Sequence, residues 1–361
     1  MNIKEVNLLN FRNYKTLDIE LTEGINVLYG HNAQGKTNLL EAVYMCGIGR
    51  SHRTHNVKEL INIDSEAAKI KVSYETGSGA DEISVFMQKD GKKSIYINGI
   101  TIKKIGEIFG CLLTVMFSPE DLWLVKSGPQ NRRKFMDMEL CQLSPIYYYD
   151  LKQYYKALNQ RNNLLKTIKS NKENREMLFI WDEQLLTHGL KIMRKREEFI
   201  QKIDILSQEI YGKMTSVAGT DEMLGIKYKA SVSEENFARK LEGSIERDIM
   251  LGSTSVGIHK DDIGLYINGN DLKVYGSQGQ QRTAAIALKI AEVEIIREIK
   301  NIEPIFLLDD VLSELDEKRQ KWLFTCVKEL QVIVTCAEKH KTVKKVADKI
   351  FWVSNGNIIN E

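Results

Sequence analysis

An eight-residue stretch near the N-terminus has the residue types and spacing of a phosphate-binding loop. Gly30-His31-Asn32-Ala33-Gln34-Gly35-Lys36-Thr37 fits the pattern G-x-x-x-x-G-K-[ST] without a mismatch. The two glycines let successive backbone N–H groups point inward, and a following helix adds its positive end. All eight residues are therefore candidate nucleotide contacts, with Lys36 on the β and γ phosphates and the Thr37 hydroxyl in the shell of a Mg²⁺ ion. An incidental glycine turn is the weaker interpretation, because a β-prone run at 25–29 and a helical run at 38–44 flank the loop.

Two adjacent carboxylates follow a short apolar run late in the chain. Ile305-Phe306-Leu307-Leu308 predicts a buried strand, and Asp309 and Asp310 come directly after it. At the carboxyl end of a parallel sheet, Asp309 can hold Mg²⁺ together with Thr37. Asp310 can then orient or deprotonate an attacking water. The alternative is a strand that ends in two solvated acidic residues. This interpretation is weaker because the chain also contains a matching phosphate loop.

A third pattern is typical of one class of ATPase. Gly276-Ser277-Gln278-Gly279-Gln280-Gln281 contains S-x-G-Q, and a long helical run follows it. The N–H groups at such a helix start form an anion site, so Ser277, Gly279 and Gln280 are candidate nucleotide contacts. A polar helix cap explains the same residues when they are read alone. Their place one helix before the Asp-Asp strand favours the signature motif of ATP-binding-cassette proteins, S-x-G-Q.

Composition narrows the class of protein. The chain has 361 residues, of which 43% are apolar, and 51 basic minus 49 acidic side chains give a net charge of +2. A global polycation is excluded, although a local basic patch is not. The longest nearly unbroken apolar run, 108–117, is far short of the roughly 18 residues that cross a bilayer. Five cysteines without a C-x-x-C pair suggest neither a disulfide framework nor a zinc site. We expect a cytoplasmic protein with no membrane partner.

The chain changes character twice along its length. Strand-like alternation dominates the first 120 residues, and the final third alternates again, with a helix at 278–301, strands at 305–308 and 332–334 and a helix at 316–330. Between them, apolar residues recur every seven positions on two helices, separated by a polar break at 170–174. The repeating residues are Leu151, Leu158, Leu165, Leu178, Leu185, Ile192, Phe199 and Leu206, with Ile203 and Ile210 as a companion row. We predict an inserted antiparallel helical hairpin, and a compact helical bundle remains almost equally compatible with this pattern.

Taken together, these features predict an α/β protein in three segments. Residues 1–145 would form the first part of a P-loop ATPase head of the ATP-binding-cassette type. Residues 146–249 would form an inserted helical, short coiled-coil-like arm domain, and residues 250–361 would complete the head.

Beyond these elements, several segments resemble the RecF family of bacterial DNA replication and recombinational-repair ATPases. The resemblance covers nearly the full length and lies in residues 9–14, 49–54, 117–122, 128–137, 257–262 and 309–316. The run of acid, proline and paired arginines in the third and fourth of these segments is its most specific part.

The resemblance implies an ATP-dependent homodimer with weak, DNA-stimulated ATPase activity. ATP would lie between the phosphate loop of one subunit and Ser277 of the other. One loop and one signature motif per chain can complete two sites only by symmetric pairing. The family also implies loading at junctions of single- and double-stranded DNA, and RecO and RecR as partners.

Three catalytic features depart from cassette ATPases in general. Residues 117–121 contain no glutamine to orient water, and no histidine directly follows Thr335 to sense the γ-phosphate. Thr335 is a candidate replacement, whereas His340 lies too far along the chain. Asp310 stands where transporter-type cassette ATPases have glutamate. Aspartate is one methylene shorter, which places its carboxylate farther from the attacking water, so we expect slow hydrolysis of ATP.

Basic residues supply the candidates for DNA contact. We expect these residues to bind the DNA backbone without base specificity, since the sequence shows no alternation of aromatic and basic residues that would indicate base stacking. For Arg50 and Arg53, a role in the electrostatics of the dimer site, where the nucleotide is expected, is an equal alternative. For the C-terminal lysines a solvated helix face is preferred. The candidates are Arg50, Arg53, Lys103, Lys104, Arg132, Arg133, Lys191, Arg194, Lys195, Arg196, Lys339, Lys341, Lys344 and Lys345.

Three other functions compete with this hypothesis. A short chromosome-maintenance tether is disfavoured, because about 65 helical residues cannot build long arms and no C-x-x-C hook is present. A small-molecule kinase would act as a monomer and would leave residues 276–281 unexplained. A transporter subunit has no use for the helical insertion.

Overall fold

The computed structural model describes residues 1–77, 79–170, 175–219, 221–338 and 341–360. The strands in these ranges are β1 (Asn2–Phe11), β2 (Tyr14–Glu20), β3 (Ile25–Tyr29), β4 (Ala67–Thr76), β5 (Gly79–Gln88), β6 (Lys93–Ile97), β7 (Ile100–Thr101), β8 (Thr114–Phe117), β9 (Leu224–Lys229), β10 (Asp262–Ile267), β11 (Asn270–Asp271), β12 (Ile305–Asp309), β13 (Val332–Cys336), β14 (Lys349–Ser354) and β15 (Asn357–Asn360). The helices are α1 (Lys36–Ile48), α2 (Trp123–Lys126), α3 (Pro129–Leu143), α4 (Pro145–Ser170), α5 (Leu178–Ala218), α6 (Phe237–Gly243), α7 (Ile245–Leu251), α8 (Leu272–Tyr275), α9 (Gln278–Lys300), α10 (Glu317–Cys326) and α11 (Lys341–Val346).

The chain divides into two compact units. The first unit consists of residues 1–122, 209–222 and 282–361, and the second of residues 123–208 and 223–281. This division groups residues 123–145 and 250–281 with the helical segment, whereas the predicted arm has the narrower bounds 146–249. The three predicted segments stay a prediction of domain organisation.

The first unit contains two six-stranded sheets. One is antiparallel, in the order β2-β1-β4-β5-β6-β7, and the other has the order β15-β14-β3-β13-β12-β8. In the second sheet β8, β12, β13, β3 and β14 run parallel, and only β15 is antiparallel. The strands β3, β12 and β13 are mostly apolar and almost entirely buried, because a parallel sheet is covered on both faces.

Helix α1 is the centre of this unit's core. It contacts β4 and β5 of the antiparallel sheet and β8, β12 and β13 of the parallel sheet. Ten of its 13 residues are buried, as expected for a helix with apolar residues on all sides. Because α1 follows the phosphate loop directly, this packing fixes the loop at the carboxyl edge of the parallel sheet.

The second unit is mostly helical. Helices α4 and α5 pair antiparallel, since Asp150 contacts His188 at 2.8 Å and Arg161 contacts Asp182 at 2.5 Å. Further helices complete a compact group: α4 also contacts α3 and α7, and a Cβ on Gly189 would lie 2.7 Å from the Phe237 ring of α6. The predicted hairpin is therefore present, and it is packed within the compact bundle that was the alternative.

The seven-residue repeat corresponds to a buried stripe. Leu151 and Leu206 are partly buried, and the remaining members are buried: Leu158, Leu165, Leu178, Leu185, Ile192, Phe199, Ile203 and Ile210. The polar break predicted between the two helices falls mainly on 171–174, outside the described residues.

The second unit also holds a three-stranded antiparallel sheet in the order β11-β10-β9. Its strand β10 contacts α3. Among the described residues no helix combines the length and hydropathy needed to cross a membrane.

Candidate nucleotide-binding site

The phosphate loop lies between β3 and α1, as its sequence predicts. Gly30 has φ 154° and Gly35 has φ 117°, values that favour glycine. Space also demands glycine, because a Cβ on Gly30 would lie 2.2 Å from the Val353 carbonyl oxygen. The Lys36 ammonium donates to the carbonyl oxygens of Gly30 and His31, the latter at 2.8 Å. Burial lowers the pKa of Lys36, and the nearby carboxylates of Asp310 and Asp309 oppose that shift.

The turn between β1 and β2 supports the loop, a contact that the sequence analysis did not foresee. The Asn13 side chain donates to the Gln34 carbonyl oxygen at 2.9 Å and accepts from the Asn38 amide at 2.8 Å. The Tyr14 hydroxyl donates to the Gly35 carbonyl oxygen at 3.0 Å. From the sequence, residues 9–14 are only a segment of family resemblance. In the structure, Asn13 and Tyr14 of this segment both form hydrogen bonds to the phosphate loop.

Thr37 and Asp309 meet at the base of the site. The Thr37 hydroxyl donates to Asp309 Oδ1 at 2.8 Å, and the Thr335 hydroxyl donates to the same oxygen at 2.7 Å. Hard oxygen donors of this kind suit Mg²⁺, which takes few protein ligands and completes its shell with water and phosphate oxygens. The pair therefore fits the predicted metal role. Among the described residues, no group of three or more His, Cys, Asp or Glu is arranged so that it could hold a metal ion.

Asp310 adopts a backbone conformation uncommon for a side-chain-bearing residue. Its φ is 52°, and its N–H donates to the Thr335 hydroxyl at 2.9 Å. Left-handed backbone outside glycine often marks a functional site, where the surrounding structure holds it in place. Thr335 thus connects both acidic residues, and its place beside them supports the prediction that it substitutes for the missing histidine.

These side chains line one pocket of about 410 Å³ in the first unit. Of the eight loop residues, Gly30, His31 and Gln34 do not line it and instead shape the loop: Gln34 accepts from the Asn355 N–H at 2.7 Å, and the His31 ring packs edge-on against Trp352. The lining residues are Asn32, Ala33, Gly35, Lys36, Thr37, Asn38, Arg53, Asp309, Asp310 and Thr335.

Arg53 extends the positive side of this pocket. Its guanidinium donates to Asn38 Oδ1 at 2.9 Å and lies 3.5 Å from Glu41 Oε2. Burial favours a raised pKa for Glu41, but hydrogen bonds from Arg12 and Ser51 outweigh it, so the pKa is lowered and the carboxylate stays charged. Of the two roles considered for Arg53, its position favours electrostatics of the nucleotide site.

The signature residues belong to the second unit, at the start of α9. The Ser277 N–H donates to Gln280 Oε1 at 2.8 Å, and the Gln280 N–H donates to Ser277 Oγ at 3.2 Å. This reciprocal capping is the helix-cap role considered as an alternative. Ser277 and Gly279 are exposed, so the cap leaves the first turn accessible to a ligand.

The structure corrects the proposed DNA contacts of two arginines and shows the surroundings of a third. Arg132 is 8% exposed and binds both Asp262 oxygens, at 2.7 and 2.9 Å. Arg196 is fully buried against Asp137 and Asp261. Arg133 is partly buried and donates to the Asp261 carbonyl oxygen at 2.6 Å. Burial within ion pairs removes Arg132 and Arg196 from DNA binding, and the family segments 128–137 and 257–262 prove to be one internal network.

Eight of the other basic candidates are exposed. Arg194 and Lys195 pair with Glu234 and Glu198, each at 2.7 Å. Lys339 and His340 lie outside the described residues, as does the side chain of Lys341. The candidates that are exposed are Arg50, Lys103, Lys104, Lys191, Arg194, Lys195, Lys344 and Lys345.

A phosphate loop at the carboxyl edge of a parallel sheet, with an Asp-Asp strand and an S-x-G-Q helix start, defines a P-loop ATPase head of the ATP-binding-cassette type. The sequence model of the RecF/RecN/SMC N terminal domain matches residues 2–359. The DNA replication and repair protein RecF of Lachnoclostridium phytofermentans is 45% identical over 360 residues, which cover 99% of each chain. The same protein of Clostridium beijerinckii is 45% identical over 369 residues, covering 100% of this chain and 99% of its own.

Solved structures agree with this relationship. The structure of the recombination mediator protein RecF with ATP, in the RecFOR pathway, superposes with a TM-score of 0.92 at 37% identity, covering 100% of this chain and 97% of that one. The Smc head domain of Pyrococcus furiosus, at 17% identity and a TM-score of 0.58, shows the fold alone. The chain belongs to the RecF family, and both the predicted resemblance and the predicted α/β cassette-type fold with its helical arm are confirmed.

Proposed function

We propose that this protein is an ATPase of DNA replication and repair that pairs with a second copy of itself around bound ATP. The observation that carries the proposal is the gathering of Lys36, Thr37, Asp309 and Asp310 around one pocket at the carboxyl edge of the parallel sheet. ATP in the related RecF structure supports ATP as the ligand here.

The chemistry of the pocket suits phosphoryl transfer to water. Lys36 and the loop N–H groups would bind the phosphates, and Arg53 would add a positive charge on the same side. Thr37 and Asp309 would hold Mg²⁺, which neutralises phosphate charge when it is bound. Asp310 would accept the proton of the attacking water, and Thr335 would keep both aspartates in place.

Dimerisation follows from the number of motifs. Each chain has one phosphate loop and one S-x-G-Q start, so symmetric pairing gives two complete sites. The exposed first turn of α9, with Ser277, Gly279 and Gln280, would bind the γ-phosphate held by the partner copy. The short carboxylate of Asp310 favours slow hydrolysis, so that ATP would act as a timer for the dimer.

The DNA role rests on the relatives, which are named DNA replication and repair proteins. We propose loading at junctions of single- and double-stranded DNA and at gaps, DNA-stimulated ATP hydrolysis, cooperation with RecO and RecR, and a cytoplasmic location. Exposed cations such as Arg50 and Lys103 would contact the DNA backbone.

Light scattering with ATP, ADP or no nucleotide tests this function, together with fluorescence anisotropy on gapped DNA in a salt series. We expect dimers with ATP only, and DNA affinity that falls steeply with salt. A monomer indifferent to ATP that phosphorylates a small metabolite would favour the kinase alternative and refute the proposal.

A further inference from the structure

One face of the three-stranded sheet in the second unit combines an aromatic ring, two lysines and two glycines. Lys227 and Lys229 lie two residues apart on β9, so they point to the same face. The pairing of β9 with β10 places Lys227 opposite Gly264, and Gly225 opposite Tyr266. The other face is apolar and buried through residues such as Ile226 and Leu265.

The Tyr266 ring lies against the sheet over Gly264. A Cβ built on Gly264 would lie 2.8 Å from ring atoms of Tyr266 and 2.6 Å from Lys229 Cε. Only glycine therefore lets the ring and the lysine stem lie this low on the strand. Tyr266 is partly exposed, whereas both lysines are exposed.

Both lysine ammonium groups lie over this ring. The Nζ atoms of Lys227 and Lys229 are 5.6 and 5.3 Å from the ring centroid, within the range of a cation–π contact. Two acidic side chains share this face, Asp262 opposite Lys229 and Asp271 opposite Tyr266. Asp262 accepts from Nε and Nη2 of Arg132, and Asp271 accepts the Lys273 N–H at 2.9 Å as the cap of α8. Three cations, with Arg132 included, therefore stand against two carboxylates, and the face keeps a net positive charge beside an aromatic surface.

From this geometry we infer that the Lys227–Lys229–Tyr266 face is a contact site for single-stranded nucleic acid. A base would stack on Tyr266 in place of the two ammonium groups, which would move from the ring to the flanking phosphates. Aromatic rings with adjacent cations on a strand face are how single strands are bound without strong sequence preference. The inference rests on the proposed DNA-binding function and adds a stacking contact to the backbone recognition expected from the sequence. The sequence did not indicate it because Tyr266 and the lysines are 37 to 39 positions apart and meet only through strand pairing.

Fluorescence anisotropy measures the affinity for two oligonucleotides of equal length, oligodeoxythymidine and an abasic strand. The comparison separates the contribution of base stacking from that of phosphate charge. Tyr266→Ala should weaken thymidine binding about tenfold and leave abasic binding unchanged, while Tyr266→Phe should match the wild type. Lys227→Gln with Lys229→Gln should weaken both, and should reduce the slope of log K against log salt by about 1.4, which is about 0.7 for each lost phosphate contact. Lys152→Gln with Lys156→Gln, two exposed lysines of α4, is the control with the same charge change and should not alter thymidine binding.

ATP-dependent dimerisation measured on every variant distinguishes this inference from the proposed function. If wild-type protein dimerises and binds thymidine strands, but Tyr266→Ala binds them equally well, the inference is overturned and the proposed function stands. An equal loss of affinity in the Lys152/Lys156 control would also overturn it, because binding would then follow net charge. Wild-type protein that binds gapped DNA but neither oligonucleotide would overturn the inference alone, whereas wild-type protein that binds none of the three would contradict the DNA role itself.

Discussion

Asp310 is the residue whose position bears most directly on hydrolysis. Its carboxylate lines the phosphate pocket, and its left-handed backbone is tied to the Thr335 hydroxyl. We expect Asp310→Asn to lower the ATP hydrolysis rate about 100-fold or more, because an amide cannot accept the proton of the attacking water. ATP affinity should change little, and the ATP-bound dimer should persist longer. Single-turnover hydrolysis and dimer lifetime measure the two effects.

Asp90→Asn is the control for this substitution, since Asp90 is an exposed carboxylate in the turn between β5 and β6. It should hydrolyse ATP at the wild-type rate. Hydrolysis by Asp310→Asn at the same rate as this control would assign the base to another group.

Thr335 provides a second test at the scale of single atoms. Thr335→Val keeps the volume but removes the hydroxyl that donates to Asp309 and accepts from the Asp310 N–H. Both groups would lose a partner in a buried place, at a cost of about 1–3 kcal/mol, so we expect a lower melting temperature and slower hydrolysis. Thr335→Ser should restore hydrolysis, measured by phosphate release. If serine and valine gave equal rates, the hydroxyl would have no role in the site.

The sequence predicted the residues of this site better than their surroundings. Lys36, Thr37 and Asp309 follow from motif spacing, because the loop and the strand dictate where their side chains project. Arg132 and Arg196 were misjudged as DNA contacts, since their acidic partners Asp262 and Asp261 are remote in sequence and burial of an arginine cannot be read from local charge.

At the scale of elements, the β1–β2 turn is predicted to control the phosphate loop. Asn13→Ala removes the hydrogen bonds to Gln34 and Asn38, each worth about 1 kcal/mol. We expect ATP affinity to fall about tenfold through a looser loop, as measured by titration calorimetry. Asn7→Ala on β1 loses only contacts to Glu5 and Asp18 and should bind ATP normally. Equal affinities for the two variants would refute the supporting role of the turn.

The buried network of the second unit joins α3, α5 and the segment before β10. Arg196 contacts Asp137, Asp261 and the Ile258 carbonyl oxygen, so Arg196→Ala leaves buried carboxylates without their cation. We expect a loss of about 3 kcal/mol or more in the free energy of unfolding, measured by denaturant titration. The neighbouring exposed Lys195→Ala should be nearly neutral. A stable Arg196→Ala protein with weakened DNA affinity would revive the contact role that the structure excludes.

Elements with strong local signals were predicted closely. The strand at 25–29 has the predicted bounds, and the helix expected at 278–301 runs from Gln278 to Lys300. The helix expected at 316–330 is shorter, Glu317–Cys326, with Asp316 as its cap. Its predicted end was wrong because the apolar periodicity of the sequence continues past the end of the helix. The helix is capped at Val327, whose N–H donates to the Leu323 carbonyl oxygen. The packing of α4 and α5 among α3, α6 and α7 could not be predicted, because a seven-residue repeat shows which face of a helix is buried but not which helices cover it.

For the whole molecule, the central claim is that each ATP is held by two copies of the chain. Lys36→Ala should weaken ATP binding, and Ser277→Arg should bind ATP as a monomer without pairing. Neither variant alone can form a complete site. A pair made of one copy of each still contains one intact site, formed by Lys36 of the second copy and Ser277 of the first.

The most direct measurement is therefore to mix the Lys36→Ala and Ser277→Arg variants, carrying different tags, with ATP and to follow the pairing of one tag with the other. We predict that the mixture forms mixed dimers that depend on ATP, while each variant alone stays monomeric. If the mixture remained monomeric under conditions in which wild-type protein dimerises, a site shared between two copies would be contradicted.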